Sequence, residues 1–469
     1  MKRWSIYIIL AASPFILLAL LLLEPTSDDW TYLTDPHFGD PFLPERILPN
    51  GNYWRPFDAL YGSLISHFVW LYPAMNHIII LLAHCINSFI IFKLTEQMFS
   101  DKFASNISTI YFFISPAVAA TLFGIDSINQ AMSQIFGLMS VYVYLYVQKI
   151  KIPLWTILVF ISILCKENGM SWAIISPFLS LGLNSNKKKN TLIHLLIGFI
   201  IIGIYMLLRF SLSNNAVNGD SVYFDFSIVK KIKDFGVFVC MTLTAIDFVS
   251  LAHAPSRNII FLTFSIILSV PFMIFVFIGI NKNYKDRLFI SLFICIIIAA
   301  GLHLLTLFGA MHAYSSLGMS ALLLSYFIYK CDCRKIITVS FIAYSISAIA
   351  VDYRHYIKSY ESGMTGYNMG KSIIEKCRKP YEKVYIINID DHYPSYSSFC
   401  MSPFDAFGWG NAAIKYNKYR WPKELCDTVI ENNDKKIIDE IAMKAIEEGW
   451  DCVWLCNKEN VDIVMEKVY

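Results

Sequence analysis

Residues 4–30, WSIYIILAASPFILLALLLLEPTSDDW, begin with about 20 apolar residues and become polar from Glu24 onward. A stretch of this length predicts a membrane-spanning helix. Met1-Lys2-Arg3 precedes it, and a basic start predicts a cytoplasmic N-terminus. Because no small-residue cleavage pattern follows the run, we interpret it as a permanent anchor rather than a secretion signal. The pair Asp28-Asp29 therefore lies just outside the membrane, on the external side.

The composition extends this interpretation to most of the chain. Of its 469 residues, 56% are hydrophobic and 16% are charged, whereas soluble domains carry about 25% charged residues. The mean hydropathy is +0.50. A formal net charge of +3 gives no indication of nucleic-acid binding, because the Lys and Arg clusters lie between apolar runs and set membrane orientation. The 11 cysteines show no convincing metal-ligand spacing.

The apolar runs predict about eleven membrane spans. The triple lysine at 187–189 marks a cytoplasmic loop. The run Phe235 to Leu251 is apolar but contains Asp247, and the positive-inside rule favours keeping it on the external side. The predicted spans are Trp4–Leu23, Met75–Phe92, Phe103–Phe123, Ile128–Val147, Pro153–Cys165, Met170–Leu183, Thr191–Leu208, Ile259–Ile280, Leu288–Leu307, Tyr314–Tyr329 and Ile336–Val351.

Charged residues return at Asp352, and no later run is long enough to span. Val384 to Ile389 and Cys452 to Leu455 are typical of buried strands, and Lys435 to Glu448 of an amphipathic helix. The sequence therefore predicts an α-helical polytopic membrane module at 1–351, with its first external loop at 24–74, and an external soluble α/β domain at 352–469. No internal repeat is evident.

Acidic side chains on the external side are candidate catalytic groups. An ionised carboxylate at the lipid boundary can accept a proton from a substrate that approaches along the bilayer, which makes Asp28 and Asp29 candidate bases. The alternative is that Ser27 or Asp28 caps a short interfacial helix. Asp126 follows the third span and adds a carboxylate on the same side.

Basic and histidine side chains complete the candidate set. Arg55 lies in the motif Tyr53-Trp54-Arg55-Pro56-Phe57. In Lys166-Glu167-Asn168-Gly169, the Lys-Glu pair is either a neutralising ion pair or a cation presented to an anionic ligand and held by its carboxylate. His312 is predicted at the external surface, where it is a further candidate cation beside Arg55 and Lys166. His77 and His84, seven residues apart, share one helical face and either line a cavity or bind a neighbouring helix.

The order of these motifs resembles the GT-C superfamily of membrane glycosyltransferases. The resemblance is strongest to the branch of the protein O-mannosyltransferases and of the transmembrane mannosyltransferases with TPR repeats, although this chain lacks such repeats. Five motifs over the first 350 or so residues carry it, in this order: Asp28-Asp29, Arg55-Pro56, His77 with His84, Lys166-Glu167-Asn168-Gly169, and Tyr314-Ser315-Ser316-Leu317-Gly318.

The resemblance implies transfer of a sugar from a polyprenyl-phosphate donor to a hydroxyl at the outer face of a bacterial inner membrane. Asp28 would be the base, with Asp29 as its orienter or as a second candidate. The remaining residues would bind the donor phosphate or substrate: Arg55, Lys166, Glu167, His312, Tyr314, His77, His84 and Asp126. The acceptor would be a surface glycan such as an O-antigen, a lipid or a protein. No cofactor is required, although Asp126 could help hold a divalent ion.

Three other functions remain open at the level of sequence. A transporter or flippase for lipid-linked saccharides would use Asp28, Asp126 and the histidines to gate or carry protons. A glycan polymerase or ligase would place its main external loop nearer the C-terminus. A receptor or scaffold would bind a partner through the C-terminal domain.

Overall fold

The computed structural model describes residues 3–30, 54–58, 60–61, 76–183, 188–211, 227–305, 309–376, 381–389, 400–408, 424–430, 433–457 and 460–467. Tyr53, Lys187 and most of the first external loop lie outside these residues. The helices of the membrane module are α1 Trp4–Leu20, α2 His77–Phe99, α3 Lys102–Phe113, α4 Ala119–Leu122, α5 Ile128–Tyr146, α6 Lys151–Cys165, α7 Met170–Leu183, α8 Lys188–Ser211, α9 Ile228–Leu243, α10 Phe248–Ala252, α11 Ile259–Asn283, α12 Arg287–Leu305, α13 Tyr314–Lys330 and α14 Arg334–Lys376.

Four of the described helices are long and apolar enough to cross a membrane: α2, most of α8, α11, and Arg334–Ile373 within α14. A fifth span would come from α3 together with Pro116–Leu122, a pair bent by 45°. The shorter apolar helices include α1, α6 and the Arg287–Gly301 part of α12. The predicted fold class, a helical membrane module with a small C-terminal sheet domain, is confirmed. The count of about eleven spans stays a prediction.

Helix α13 forms the centre of the bundle. Every residue from Tyr314 to Ile328 is buried, as expected for a helix with apolar neighbours on all sides. It packs against α12, α3 and α2. Its first residue directly follows a 3₁₀ turn at Ala310–Ala313, so the packed centre of the bundle fixes the position of that turn.

The segment 235–251 does not form a continuous helix. Helix α9 ends at Leu243, and α10 begins only at Phe248. Between them, the fully buried Asp247 forms an ion pair with Arg354 of α14 and accepts a hydrogen bond from Ser250 Oγ at 2.6 Å. Because a buried carboxylate needs a paired charge, Asp247 ties this segment to α14.

The C-terminal domain contains a four-stranded sheet, β1 Lys383–Ile389, β2 Glu424–Ile430, β3 Cys452–Asn457 and β4 Asn460–Glu466, with the helices α15 Pro403–Ala406 and α16 Lys435–Glu447. The strand order is β2-β1-β3-β4; β1 is parallel to β2 and β3, and β4 is antiparallel to β3. The predicted strands and helix are present, and β2 and β4 are additions. Helix α14 continues through the compositional boundary at residue 351 into this domain.

Candidate active site

The first element of the site is the acid turn, residues 26–30, six residues after the end of α1. Ser27 has a φ of 49°, a left-handed conformation that is uncommon for residues other than glycine and is found at functional sites. Asp28 is exposed, whereas Asp29 is only 2% exposed. The N–H of Thr26 donates to Asp29 Oδ2 at 3.2 Å. The two carboxylates therefore differ: Asp28 is accessible to a substrate and Asp29 is built into the turn.

Asp126 joins this turn from a loop almost 100 residues away. Its N–H donates to Asp29 Oδ1 at 2.8 Å, and Ser127 Oγ lies 3.2 Å from Asp126 Oδ1. The site thus gathers three acidic side chains, Asp28, Asp29 and Asp126. Burial and then the charge of Asp126 raise the pKa of Asp29 well above its usual range, although the backbone N–H groups that donate to it lower this pKa. Burial also raises the pKa of Asp126, with the Lys166 ammonium opposing the shift.

The pKa of Asp28 matches the requirement for a base near neutral pH. Part of its surface is open to solvent, while surrounding protein groups remove water from the rest. This partial burial is the main cause that raises its pKa to about 6, and the negative charge of Asp126 is the second cause. Lys166 opposes this shift and Asp405 adds to it. A base is most effective when its pKa lies near the operating pH. Asp28 is therefore ionised at pH 7 while remaining basic enough to accept a proton.

Arg55 is held in a forked ion pair with Glu167. Its Nε lies 2.9 and 2.8 Å from the two carboxylate oxygens, and its Nη2 lies 2.7 Å from Oε2. Arg209 approaches the same carboxylate at 3.7 Å. Burial opposes ionisation of Glu167, but Arg55 and then Arg209 hold its pKa at about 2. The structure corrects the sequence interpretation here: the forked partner of Glu167 is Arg55, not Lys166.

Lys166 presents a buried ammonium to the same region. It is 6% exposed, and its Nζ lies 3.9 Å from Met311 Sδ, a weak acceptor. Burial and the positive charge of Arg55 lower its pKa to about 8, while Asp126 and Glu167 oppose this. Ser127 Oγ lies 3.8 Å from the same sulfur. Met311 thus places Lys166 beside the loop that carries Asp126.

His312 enters the site as a neutral ring. The N–H of Gly309 donates to His312 Nδ1 at 2.8 Å, so the ring proton is on Nε2. Burial, followed by His303, Lys166 and Arg55, lowers the pKa of His312 well below its usual range. The ring of His303 stacks on it, with centroids 3.8 Å apart. The expectation of a cationic His312 is corrected, because this geometry makes it a hydrogen-bond donor.

His77, His84 and Tyr314 are placed within the helix packing. His77 Nδ1 lies 3.0 Å from the carbonyl oxygen of Leu122, two residues before Gly124. His84 contacts the Phe113 carbonyl through Nε2 at 3.1 Å and the Tyr314 hydroxyl through Nδ1 at 2.9 Å. These contacts favour the alternative in which the histidines bind neighbouring helices. They hold the loop of Asp126 and the start of α13 in position.

The sequence interpretation did not include Arg209, Met311 or Asp405. Arg209 had a signal, because it is the basic residue that ends a long apolar run. Met311 and Asp405 had none, since their relation to the site depends on long-range packing. Among the described residues, no group of three or more His, Cys, Asp or Glu side chains is arranged to hold a metal ion.

No family model matches the chain, and no curated protein matches its sequence. Among solved structures, it is similar to ArnT from Cupriavidus metallidurans bound to undecaprenyl phosphate, with a TM-score of 0.49 and 7% identity over 99% of this chain and 98% of that one. It is also similar to the Archaeoglobus fulgidus oligosaccharyltransferase tethered to an acceptor peptide, with a TM-score of 0.44 and 13% identity over 97% and 69%. Both TM-scores are below 0.5.

Proposed function

We propose that the protein is a membrane glycosyltransferase of the GT-C type, which transfers a sugar from a polyprenyl-phosphate donor to an acceptor hydroxyl. The observation that carries the proposal is a base beside a cation: the accessible Asp28 carboxylate lies close enough to the buried Lys166 ammonium for that charge to oppose the rise in the pKa of Asp28. A base and a cation at one site are what group transfer from a phosphate requires.

The transfer step follows from these positions. Asp28 accepts the proton of the acceptor hydroxyl as the hydroxyl oxygen forms a bond to the anomeric carbon. The bond from that carbon to the phosphate oxygen breaks, and the polyprenyl phosphate leaves with the electron pair. Lys166 and Arg55 stabilise the charge that develops on the leaving phosphate, and His312 donates a hydrogen bond through Nε2. Attack opposite the leaving group inverts the configuration of the sugar.

The apolar helices account for the lipid part of the donor. Helices α8 and α11 have large exposed apolar side chains, including Leu196, Leu207, Ile267 and Phe277, and are long enough to span. The polyprenyl tail remains in the hydrocarbon beside such surfaces, so only the sugar phosphate has to reach Asp28. Burial of the tail supplies affinity at about 25 cal/mol per Å² of apolar surface. The acceptor is a hydroxyl of a surface glycan, a lipid or a protein.

Binding of undecaprenyl phosphate, a polyprenyl-phosphate carrier, tests the phosphate site. The protein is placed in lipid nanodiscs and titrated, with bound lipid measured by native mass spectrometry. Replacement of Lys166 by Gln is expected to weaken binding by roughly 10- to 100-fold, because a hydrogen bond to a charged group contributes about 1.5–3 kcal/mol. Lys149→Gln, which alters an exposed lysine at the end of α5, is the matched control. Equal binding by both variants, or no binding by the wild type, contradicts the proposal.

A further inference from the structure

One turn of the C-terminal domain, residues 402–408, contacts the acid turn directly. It contains α15, and its first turn is capped by Ser402, whose Oγ accepts from the Asp405 N–H at 3.2 Å. The N–H of Ser27 donates to the Asp405 carbonyl at 3.1 Å. The residue before Asp28, in its left-handed conformation, is therefore bonded to a segment almost 380 residues away. The C-terminal domain lies on the same side of the membrane module as the acid turn.

Glycine makes this approach possible at Gly408. Its φ is +62°, and a Cβ there would lie 2.7 Å from the Cβ of Trp30 and 3.1 Å from the carbonyl oxygen of Ser27. Real Cβ atoms essentially never come closer than 3.0 Å, and a left-handed φ strains any other residue. Trp30 is 1% exposed, and Gly408 is one of the residues packed against it. The backbone of the domain is thus packed onto the acid turn.

Helix α14 packs against the same two segments. A Cβ on Gly363 would lie 2.8 Å from the carbonyl oxygen of Glu24, and a Cβ on Gly366 would lie 2.5 Å from that of Ala406. These two glycines are one helical turn apart and share a face. One face of α14 therefore packs on both the segment leading to the acid turn and the 402–408 turn. Three elements meet, and a glycine lies at the contact between each two of them.

We propose that the 402–408 turn is a positioning element of the active site, which holds Asp28 in place through the Ser27–Asp405 backbone bond and the packing of Gly408 on Trp30. The inference rests on the proposed function. The pKa of Asp28 is raised first by burial and then by the charge of Asp126, and it is lowered by Lys166. The negative charge of the Asp405 carboxylate adds to the increase. The C-terminal domain is then part of the catalytic unit rather than a separate module.

Two glycine-to-alanine changes in the same domain test the packing contact. Gly408→Ala introduces the clash with Trp30. Gly449→Ala is the matched control, since Gly449 also has a positive φ, of 98°, but a Cβ there meets nothing within 4 Å. We expect Gly408→Ala to lower kcat by roughly 10- to 100-fold, because small displacements of reacting groups have effects of this size, with KM for the lipid donor nearly unchanged. Gly449→Ala should retain wild-type kcat.

Hydrogen–deuterium exchange of the peptide 24–30 provides a readout independent of activity. Gly408→Ala should accelerate exchange of this peptide, including the Ser27 amide, and Gly449→Ala should not. Asp405→Asn retains the backbone bond and is expected to shift the acid limb of the pH–rate profile to lower pH, because a negative charge near Asp28 is removed. Asp405→Glu should restore the wild-type limb.

The outcomes separate this inference from the proposed function. If Asp28→Asn is inactive while Gly408→Ala and Gly449→Ala behave alike in kcat and in exchange, the glycosyltransferase assignment stands and the positioning role is wrong. An unshifted acid limb in Asp405→Asn removes the electrostatic part of the inference. If Asp28→Asn is fully active, the proposed function itself fails.

Discussion

The backbone N–H of Asp126 donates to Oδ1 of Asp29 at 2.8 Å and joins the loop of Asp126 to the acid turn. This bond occupies one oxygen of Asp29, and the N–H of Thr26 occupies the other. Asp29 is therefore an orienting residue, and the exposed Asp28 is left to meet the substrate. The expectation that Asp28 is the base, with Asp29 as orienter, becomes a proposal with defined geometry.

The pH dependence of transfer follows from Asp28 and Lys166. The pKa of Asp28 is about 6 and that of Lys166 about 8. Asp28 must be ionised to accept a proton, so the rate falls as the pH decreases through about 6. Lys166 must be charged to bind phosphate, so the rate falls as the pH increases through about 8. We expect a bell-shaped profile of kcat/KM between pH 5 and pH 9; a flat profile over this range contradicts both assignments.

Removal of the charge of Glu167 is expected to release Arg55. Glu167→Gln replaces the acceptor of the forked pair and leaves Arg55 and Arg209 without their shared carboxylate. We expect KM for the lipid donor to increase by roughly tenfold, because a preorganised guanidinium is lost. Glu96→Gln, which alters an exposed pair with Arg3 at 3.5 Å, is the control and should leave KM unchanged. An equal KM in both variants shows that the fork does not position Arg55.

Replacing His312 by a residue that keeps a hydrogen-bond acceptor should reduce activity less than truncating it to Ala. Asn retains an oxygen that can accept from the Gly309 N–H, whereas Ala leaves that N–H without this partner, at a cost of about 1–3 kcal/mol. We predict that His312→Asn retains at least about tenfold more activity than His312→Ala, measured as kcat/KM at pH 7. Equal activity of the two variants is the result that rules out this positioning role.

The buried pair Asp247–Arg354 should affect stability rather than chemistry. Arg354→Met leaves the Asp247 carboxylate buried without its guanidinium partner, which costs about 3–5 kcal/mol. The pair between the exposed Arg334 and Asp101, at 3.8 Å, is the control, and Arg334→Met should cost less than about 1 kcal/mol. The unfolding temperature of each variant in detergent is measured by heating samples and quantifying the remaining folded protein by size-exclusion chromatography. Equal unfolding temperatures of the two variants contradict the role given to Asp247.

The orientation of the chain in the membrane can be tested by cysteine labelling. Exposed native thiols such as Cys333 are first replaced by Ser. An impermeant maleimide applied to intact cells is expected to label Glu448→Cys in the C-terminal domain and to leave Lys149→Cys unlabelled until the membrane is permeabilised. The reverse pattern would place the site on the cytoplasmic side.

The sequence predicted most elements but few of their contacts. Hydropathy placed α5 and α7 within one residue of their ends, since apolar runs are local signals. It also located Asp28 and Lys166, because charged residues that follow apolar runs are conspicuous, while Arg55 was found through the Tyr-Trp-Arg-Pro-Phe motif. Three contacts could not be predicted: Asp29 with Asp126, Arg55 with Glu167, and Ser27 with Asp405. They join segments far apart in the chain, and only packing of the helices determines which segments meet.

The partners of the histidines illustrate the same limit. Seven-residue spacing showed that His77 and His84 share a face, but not which groups that face meets. In the structure, His84 is hydrogen-bonded to the hydroxyl of Tyr314, which lies 230 residues later in the chain. Two side chains that the family resemblance assigned to the substrate are thus bonded to each other.

Donor consumption by Asp28→Asn measures whether Asp28 is the base of a sugar transfer. Wild type, Asp28→Asn, Asp29→Asn and the control Asp434→Asn, which retains a helix-capping side chain, are incubated in nanodiscs with a panel of polyprenyl-phosphate sugars and candidate hydroxyl acceptors, and released polyprenyl phosphate is measured. We predict that wild type and Asp434→Asn consume at least one donor and that Asp28→Asn is at least about 100-fold slower while remaining folded. A wild-type rate in Asp28→Asn, or no donor consumed by the wild type, is the result that rules out Asp28 as the base.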